Sequence, residues 1–210
     1  MCISAEVSMI AFLTCSVSSV YLYKRNRPND RWIAIMFGYL GFMQLLEYLM
    51  WMDQECSGLN QTATYLGFLH VVLQPILSIS LAYYMTKGNI PLFIYGLLFV
   101  YLIYSVPLLY SSLKEGQCSK PCNGSKIGLS WDFVNPESGT YLWIVFFLAL
   151  VTPLLLMKKN GKLYFTANLI VWILSGIIGS YRCNGPVPIP SGSLWCLMAF
   201  MGPLCAIFIN

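Results

Sequence analysis

Apolar residues fill seven stretches of this chain, each of helical length and each closed by a short polar break. The first runs from Cys2 to Tyr23 and stops at Lys24, Arg25, Arg27 and Arg31, with Pro28 interrupting the backbone between them. The second covers Trp32 to Met52, the third Tyr65 to Thr86 before Lys87-Gly88-Asn89, and the fourth Ile90 to Leu113. A polar segment over residues 114–140 follows. The fifth stretch spans Tyr141 to Met157, the sixth Leu163 to Tyr181, and the last Leu194 to the C-terminus. A bilayer core about 30 Å thick requires about 20 apolar residues per helix. The pattern therefore predicts an all-α integral membrane protein, one domain of seven transmembrane helices over residues 1–210, with 114–140 as a long extracytoplasmic loop.

Composition sharpens that picture. Of the 210 residues 58% are hydrophobic and 10% charged, so a water-soluble fold would expose far more apolar surface than it could sustain. The net charge of +4 is dispersed over loops and carries no nucleic-acid signature. Its distribution speaks to topology instead: basic residues collect at Lys24–Arg31, at Lys87 and at Lys158–Lys162, while Asp53–Thr64 has none. By the positive-inside rule the N-terminus faces out and the C-terminus lies in the cytoplasm. The long loop carries Lys114, Lys120 and Lys126 against this trend.

Cysteines and sequons supply an independent reading. Cys56, Cys118, Cys122 and Cys183 all fall in predicted outer loops, where disulfides persist, and four cysteines allow three pairings. Asn60-Gln61-Thr62 and Asn123-Gly124-Ser125 are N-glycosylation sequons on the same side. Cys2 adds a fifth outer thiol, and Cys15, in mid-helix, reads as a packing residue. The first helix lacks a basic segment before it, which argues against a cleaved signal peptide. The segments Leu69–Pro75 and Leu197–Pro203 echo one another, consistent with helices one to three and five to seven as parallel repeats joined by helix four.

Candidate chemistry lies between Gln44 and Pro75. Ionisable side chains inside apolar spans are costly and usually functional. With the spans above, Glu6, Gln44, Glu47, His70 and Gln74 fall near one level below the outer surface, joined by Arg182 at the end of helix six. Two readings compete. In the structural one these groups satisfy each other, Glu47 with Arg182 and His70 with Glu6. In the functional one they line an outward-facing cavity for a proton, a cation or a small polar solute, His70 titrating in a useful range. Glu6, Glu47 and His70 also form a conceivable oxygen and nitrogen metal set, although no paired-histidine spacing supports a bound ion and no other cofactor is indicated. Trp131-Asp132 and Trp195-Cys196 read as interfacial anchors or as a lid over such a cavity.

Several classes drop out. Every lysine lies in a loop or at a helix end, so no retinal Schiff base is available. The sole histidine has no G-x-S-x-G partner, and neither a phosphate-binding G-x-x-x-x-G-K loop nor a potassium-filter sequence occurs.

Three groups of residues carry a resemblance: Cys2-x-Ser4-Ala5-Glu6-x-Ser8, Asp53-Gln54 before Cys56, and Leu69-His70 with Gln74-Pro75. The chain resembles an uncharacterised polytopic membrane family, a domain of unknown function found in bacteria and in large DNA viruses. The likeness is clear over the first third, fainter through the middle, and returns at Trp195-Cys196. It departs by an extra Glu55 inside the Asp-Gln-Cys motif and by the order of the helix-two acid and amide. The resemblance implies a multi-span fold with its motif at the outer face and brings no activity.

The expectation is a small transporter or channel-like protein in a plasma membrane, endomembrane or viral envelope, with the bilayer and a small polar solute or cation as partners. The alternatives are an intramembrane enzyme, metal-dependent or not, acting on a lipid or small substrate from the outer side, and a viral or host membrane protein whose outer loops bind partners.

Overall fold

The computed structural model describes residues 4–111, 116–121, 129–131, 140–182 and 201–209. The fold is helical: α1 (Ala5–Arg25), α2 (Asp30–Met52), α3 (Leu59–Met85), α4 (Leu92–Val100), a π-helical turn (Tyr101–Ser105), α5 (Val106–Ser111), α6 (Thr140–Val151), a 3₁₀ turn (Thr152–Leu156), α7 (Gly161–Arg182) and α8 (Met201–Ile209). Three of these, α1, α2 and α3, are long and apolar enough to cross a membrane. Their 21, 23 and 27 residues correspond to about 31, 34 and 40 Å at the helical rise.

Helices α1 and α2 form an antiparallel pair packed closely through small residues. A Cβ placed on Gly41 would collide with Cys15, and one on Gly38 would meet Ser19 Oγ at 3.2 Å. The Cys15 thiol also donates to the Phe37 carbonyl at 3.1 Å. Cys15 is thus the packing residue expected of it, and the approach of small side chains is how helices associate where apolar surface alone gives no preference.

Helix α3 starts six residues before the Tyr65 expected from the apolar pattern. Asp53, just past α2, supplies the cause. One carboxylate oxygen accepts from the Ser57 amide (2.9 Å) and hydroxyl (3.0 Å), the other from the amides of Gly58 (3.1 Å) and Asn60 (2.9 Å). These amides include first-turn donors that a helix leaves unpaired, and a carboxylate there also complements the helix dipole. The polar run Asn60–Thr64, expected as loop, is therefore the first turn and a half of α3.

Prolines account for the other departures. The fourth stretch runs as α4, π turn and α5. Pro107 has no amide to give the carbonyl of Ile103, and the turn before it widens so that Val106 N–H reaches Tyr101 O. In the fifth stretch Pro153 likewise cannot donate to Ala149, and the α-helix gives way to a 3₁₀ turn. Pro75 is carried inside α3 without ending it.

Both ends of the bundle are tied. At one end Arg25 makes a bidentate pair with Asp30 (2.7 and 2.8 Å) and donates to the carbonyls of Ala206 (3.1 Å) and Ile207 (2.9 Å), which lie in the last turn of α8. Asn29 joins this end to the loop before α7, accepting from the Lys158 amide at 3.1 Å. At the other end the segment expected as a free loop folds back onto the helices. Lys120–Pro121 (β1) pairs antiparallel with Leu129–Ser130 (β2), and Ser119, Leu129 and Trp131 are buried. The disulfide Cys56–Cys118 holds it there, and closing a loop of this 62-residue separation removes about 4 kcal/mol of unfolded-state entropy in the chain-entropy account. Cys122, Cys183 and residues 197–200 of the second copy of the Leu69/Leu197 echo lie outside the described residues, the last three of that copy, Met201–Pro203, opening α8.

Two outcomes test this packing. Gly41→Leu should destabilise the detergent-solubilised protein by about 1–3 kcal/mol through overpacking against Cys15, read from its thermal midpoint. The four donors hold the Asp53 carboxyl down to about 2, against an ordinary value of about 4. Because the folded value is the lower one, its stabilisation is complete above about pH 4 and drains away between about pH 4 and 2. Asp53→Asn should lower the thermal midpoint at pH 7 and flatten its fall over that acid window.

Candidate functional site

The polar side chains of α2 and α3 form two tiers. In the upper tier Glu47 is fully buried. Gln44, one turn earlier on the same face of α2, donates its amide to Glu47 Oε2 at 2.7 Å, and the Trp131 indole N–H reaches Glu47 Oε1 at 3.1 Å. Gln44 and Trp131 are buried with it. A carboxylate removed from water is tolerated only when its oxygens are well supplied with donors. Here one donor comes from the same helix and the other from the segment that the disulfide pins over the bundle. Trp131 therefore acts as a cover and not as an interfacial anchor.

Above this tier Asn60 knits the same segment to α2. Its side-chain nitrogen donates to Met50 O (2.8 Å) and Ser119 O (2.9 Å), and its oxygen accepts from the Ser119 amide (2.9 Å) and the Thr64 hydroxyl (3.0 Å). Asn60 is fully buried and all its hydrogen-bonding capacity is used. The expectation of a glycan at Asn60 is corrected: the nitrogen that would carry it faces inward and is already bonded. Asn123 lies outside the described residues.

The lower tier centres on His70. Its ring stacks on Tyr39 (centroids 4.2 Å apart) and lies 5.9 Å from that of Phe42. The Tyr39 hydroxyl donates to His70 O at 3.2 Å. His70 Nε2 and, one turn on, Gln74 Nε2 are buried and have no hydrogen-bond partner. Tyr101, in the π turn, is fully buried, donates to Val72 O at 2.9 Å and lies within electrostatic reach of Tyr39. Buried polar nitrogens without a protein partner are uncommon in finished cores, and here two stand one turn apart on the same face of α3.

The level assigned to His70 from the sequence is corrected. Pairing of Met50 with Asn60 and of Tyr39 with His70 sets the antiparallel register of α2 and α3. His70 thus stands opposite a residue eight positions before Glu47, which is about 12 Å deeper. The early start of α3 causes the shift. Glu6 is not drawn into either tier: it is exposed in the first turn of α1, where its charge suits the helix N-terminus beside the Ser4 cap. Glu6 and His70 do not pair. Among the described residues no three His, Cys, Asp or Glu side chains gather in a metal-binding arrangement, so the set Glu6, Glu47 and His70 is not assembled. Arg182 closes α7, with its side chain outside the described part of the structure.

Of the two roles read for Trp131, interfacial anchor or lid, the contact with Glu47 fits the lid, whereas Tyr39 and Tyr101 join the site without having been singled out. Alternation of Leu129 and Trp131 around Ser130 is the signature of a strand with one buried face and could have marked Trp131. Nothing set Tyr39 or Tyr101 apart among 14 tyrosines.

The fold and site define a class: a helical protein with three helices of membrane-crossing length and a buried carboxylate covered by a disulfide-tethered segment. The chain belongs to a family of unknown function (DUF5765), whose model matches residues 6–182 and so takes in both tiers. No curated protein and no solved structure matches it.

After expression in a glycosylating eukaryotic host, glycopeptide mass spectrometry should find Asn60 unmodified. Asn60→Gln should reduce thermal stability by about 1–3 kcal/mol per buried group it leaves unpaired.

Proposed function

We propose that this chain is an integral membrane protein of seven spans, N-terminus outside and C-terminus cytoplasmic, that passes a proton, a cation or a small polar solute through the two tiers. The observation that carries the reading is a fully buried carboxylate, Glu47, covered by a donor from the opposite wall of the bundle. Swinging Trp131 away would uncover Glu47, whose charge then draws a proton or cation from the outer side. His70 and Gln74, with buried nitrogens that have no protein partner about two and three turns deeper, form the next station. The helix faults at Pro75 and at the π turn flank that station and supply places to bend.

The tethering pattern supports the sidedness. Both basic loops and the C-terminal helix end meet at one end of the bundle, and the disulfide stands at the other. Disulfides persist on the non-cytosolic side, basic loops on the cytosolic side. The membrane in question is a plasma membrane, an endomembrane or a viral envelope.

The reading is tested in liposomes loaded with a pH-sensitive dye and driven by an imposed potassium diffusion potential, with sodium flux followed in parallel. Wild-type protein should pass one of these ions, Glu47→Gln and His70→Ala should abolish most of that flux, and Trp131→Phe should alter its rate while leaving the ion preference. Flux that is indifferent to both Glu47→Gln and His70→Ala makes the two tiers structural and sinks the proposal, as does the absence of proton and sodium flux in the wild type.

A further inference from the structure

Far from the two tiers, a cavity of about 310 Å³ opens between α2, α7 and α8. Its walls are two stripes of helical spacing. Leu163, Ala167 and Val171 come from α7, and Met201, Cys205 and Ile209 from α8, with Phe37 of α2 behind them. Each stripe covers nine residues, so the crevice is about 12 Å long and runs parallel to the helices. Its volume is at the lower end of ligand pockets, and its lining is almost wholly apolar. Leu163 and Met201 stay exposed on its rim. A polar solute finds little to bond there; a hydrocarbon chain does.

The end of the bundle from which this crevice rises is the basic one. Lys158, Lys159 and Lys162 are exposed around the start of α7, beside Leu163. The one acid of the basic loops, Asp30, is buried and already bound by Arg25, so it neutralises none of these lysines. An apolar slot whose basic mouth faces no free carboxylate among the described residues of these loops is complementary to one kind of molecule, an anionic amphiphile with its chain along the helices and its headgroup at the lysines. We infer that the crevice between α7 and α8 is a binding site for an anionic phospholipid of the cytoplasmic leaflet. The inference rests on the membrane reading above and is independent of what passes the two tiers.

Cys205, a half-buried free thiol on the crevice wall, is a built-in reporter. The full-length protein in neutral detergent is alkylated with N-ethylmaleimide, and modification of Cys205 is followed by peptide mass spectrometry. Dioleoylphosphatidylglycerol should slow alkylation at concentrations about tenfold below those needed of dioleoylphosphatidylcholine, each basic residue near an anionic headgroup being worth about fivefold. Glycerol 1-phosphate, the headgroup chemistry without chains, should leave the rate unchanged. Replacing all three lysines (Lys158→Gln, Lys159→Gln, Lys162→Gln) should bring phosphatidylglycerol to the level of phosphatidylcholine, and Ala167→Leu, which fills the slot, should weaken protection by both. Equal protection by the two lipids in the wild type, protection by glycerol 1-phosphate alone, or an unchanged rate with phosphatidylglycerol would each overturn the site. Carbonate extraction of membranes separates the two claims. A protein that resists extraction but fails the alkylation test loses only the lipid site, and one that is extracted loses the membrane reading as well.

Discussion

The carboxylate of Asp53 is the hinge-pin of the disulfide-bearing end of this molecule. By gathering the amides of Ser57, Gly58 and Asn60 it turns the chain from α2 into α3 within a few residues and sets where α3 begins. Everything downstream on α3 inherits that choice. Asn60 is placed to bond Met50 on one side and Ser119 on the other, His70 comes to lie against Tyr39, and Cys56 stands within bonding distance of Cys118. A helix started one turn later would raise each of these side chains by about 5 Å relative to α2, and the segment carrying Ser119 would lose its anchor.

The opposite end follows a different logic. Asn26 closes α1 in the left-handed conformation, its N–H on Leu22 O, and a single guanidinium joins α1 to the other helix ends. Arg25 spans Asp30, in the first turn of α2, and two carbonyls from the last turn of α8, so three helix ends converge on one side chain. Arginine suits this position because its planar donors address a carboxylate and separate carbonyls at once. Burial of Asp30 raises the stakes, since an unpaired carboxylate there would be costly. With both ends closed by specific polar contacts, the middle of the bundle is left to apolar packing and to the small-residue contact of α1 with α2. It is in that middle, between two fixed ends, that the unpartnered nitrogens of His70 and Gln74 are found.

The two tiers and the crevice divide the molecule by chemistry. Charge and hydrogen bonding belong to the α2–α3 interface, and the α7–α8 interface is greasy with a basic rim. A polar passenger and a lipid would thus meet different surfaces. The prolines lie close to the first of these regions: Pro75 follows Gln74 directly, and Pro107 sits just beyond the π turn that carries Tyr101. Faults in the backbone ladder beside a buried polar cluster give the helices freedom to move where movement would open the cluster.

Composition and apolar period alone determined the helical class and the membrane-length spans of α1, α2 and α3, because burial depends on residue type and local spacing. The pairing of Gln44 with Glu47 was equally legible, as a spacing of three on one helix. What only the tertiary structure decided is which side chains meet across elements. Asn60 turned inward from its sequon and His70 sunk two turns below Glu47 depend on the register between α2 and α3, Trp131 on Glu47 depends on the return of the segment held by Cys56–Cys118, and Glu6 stays at the surface at the start of α1. That register is set by a side chain capping a backbone, and hydropathy has no measure of it: a polar residue that satisfies first-turn amides and one that merely faces water look alike in a one-dimensional pattern.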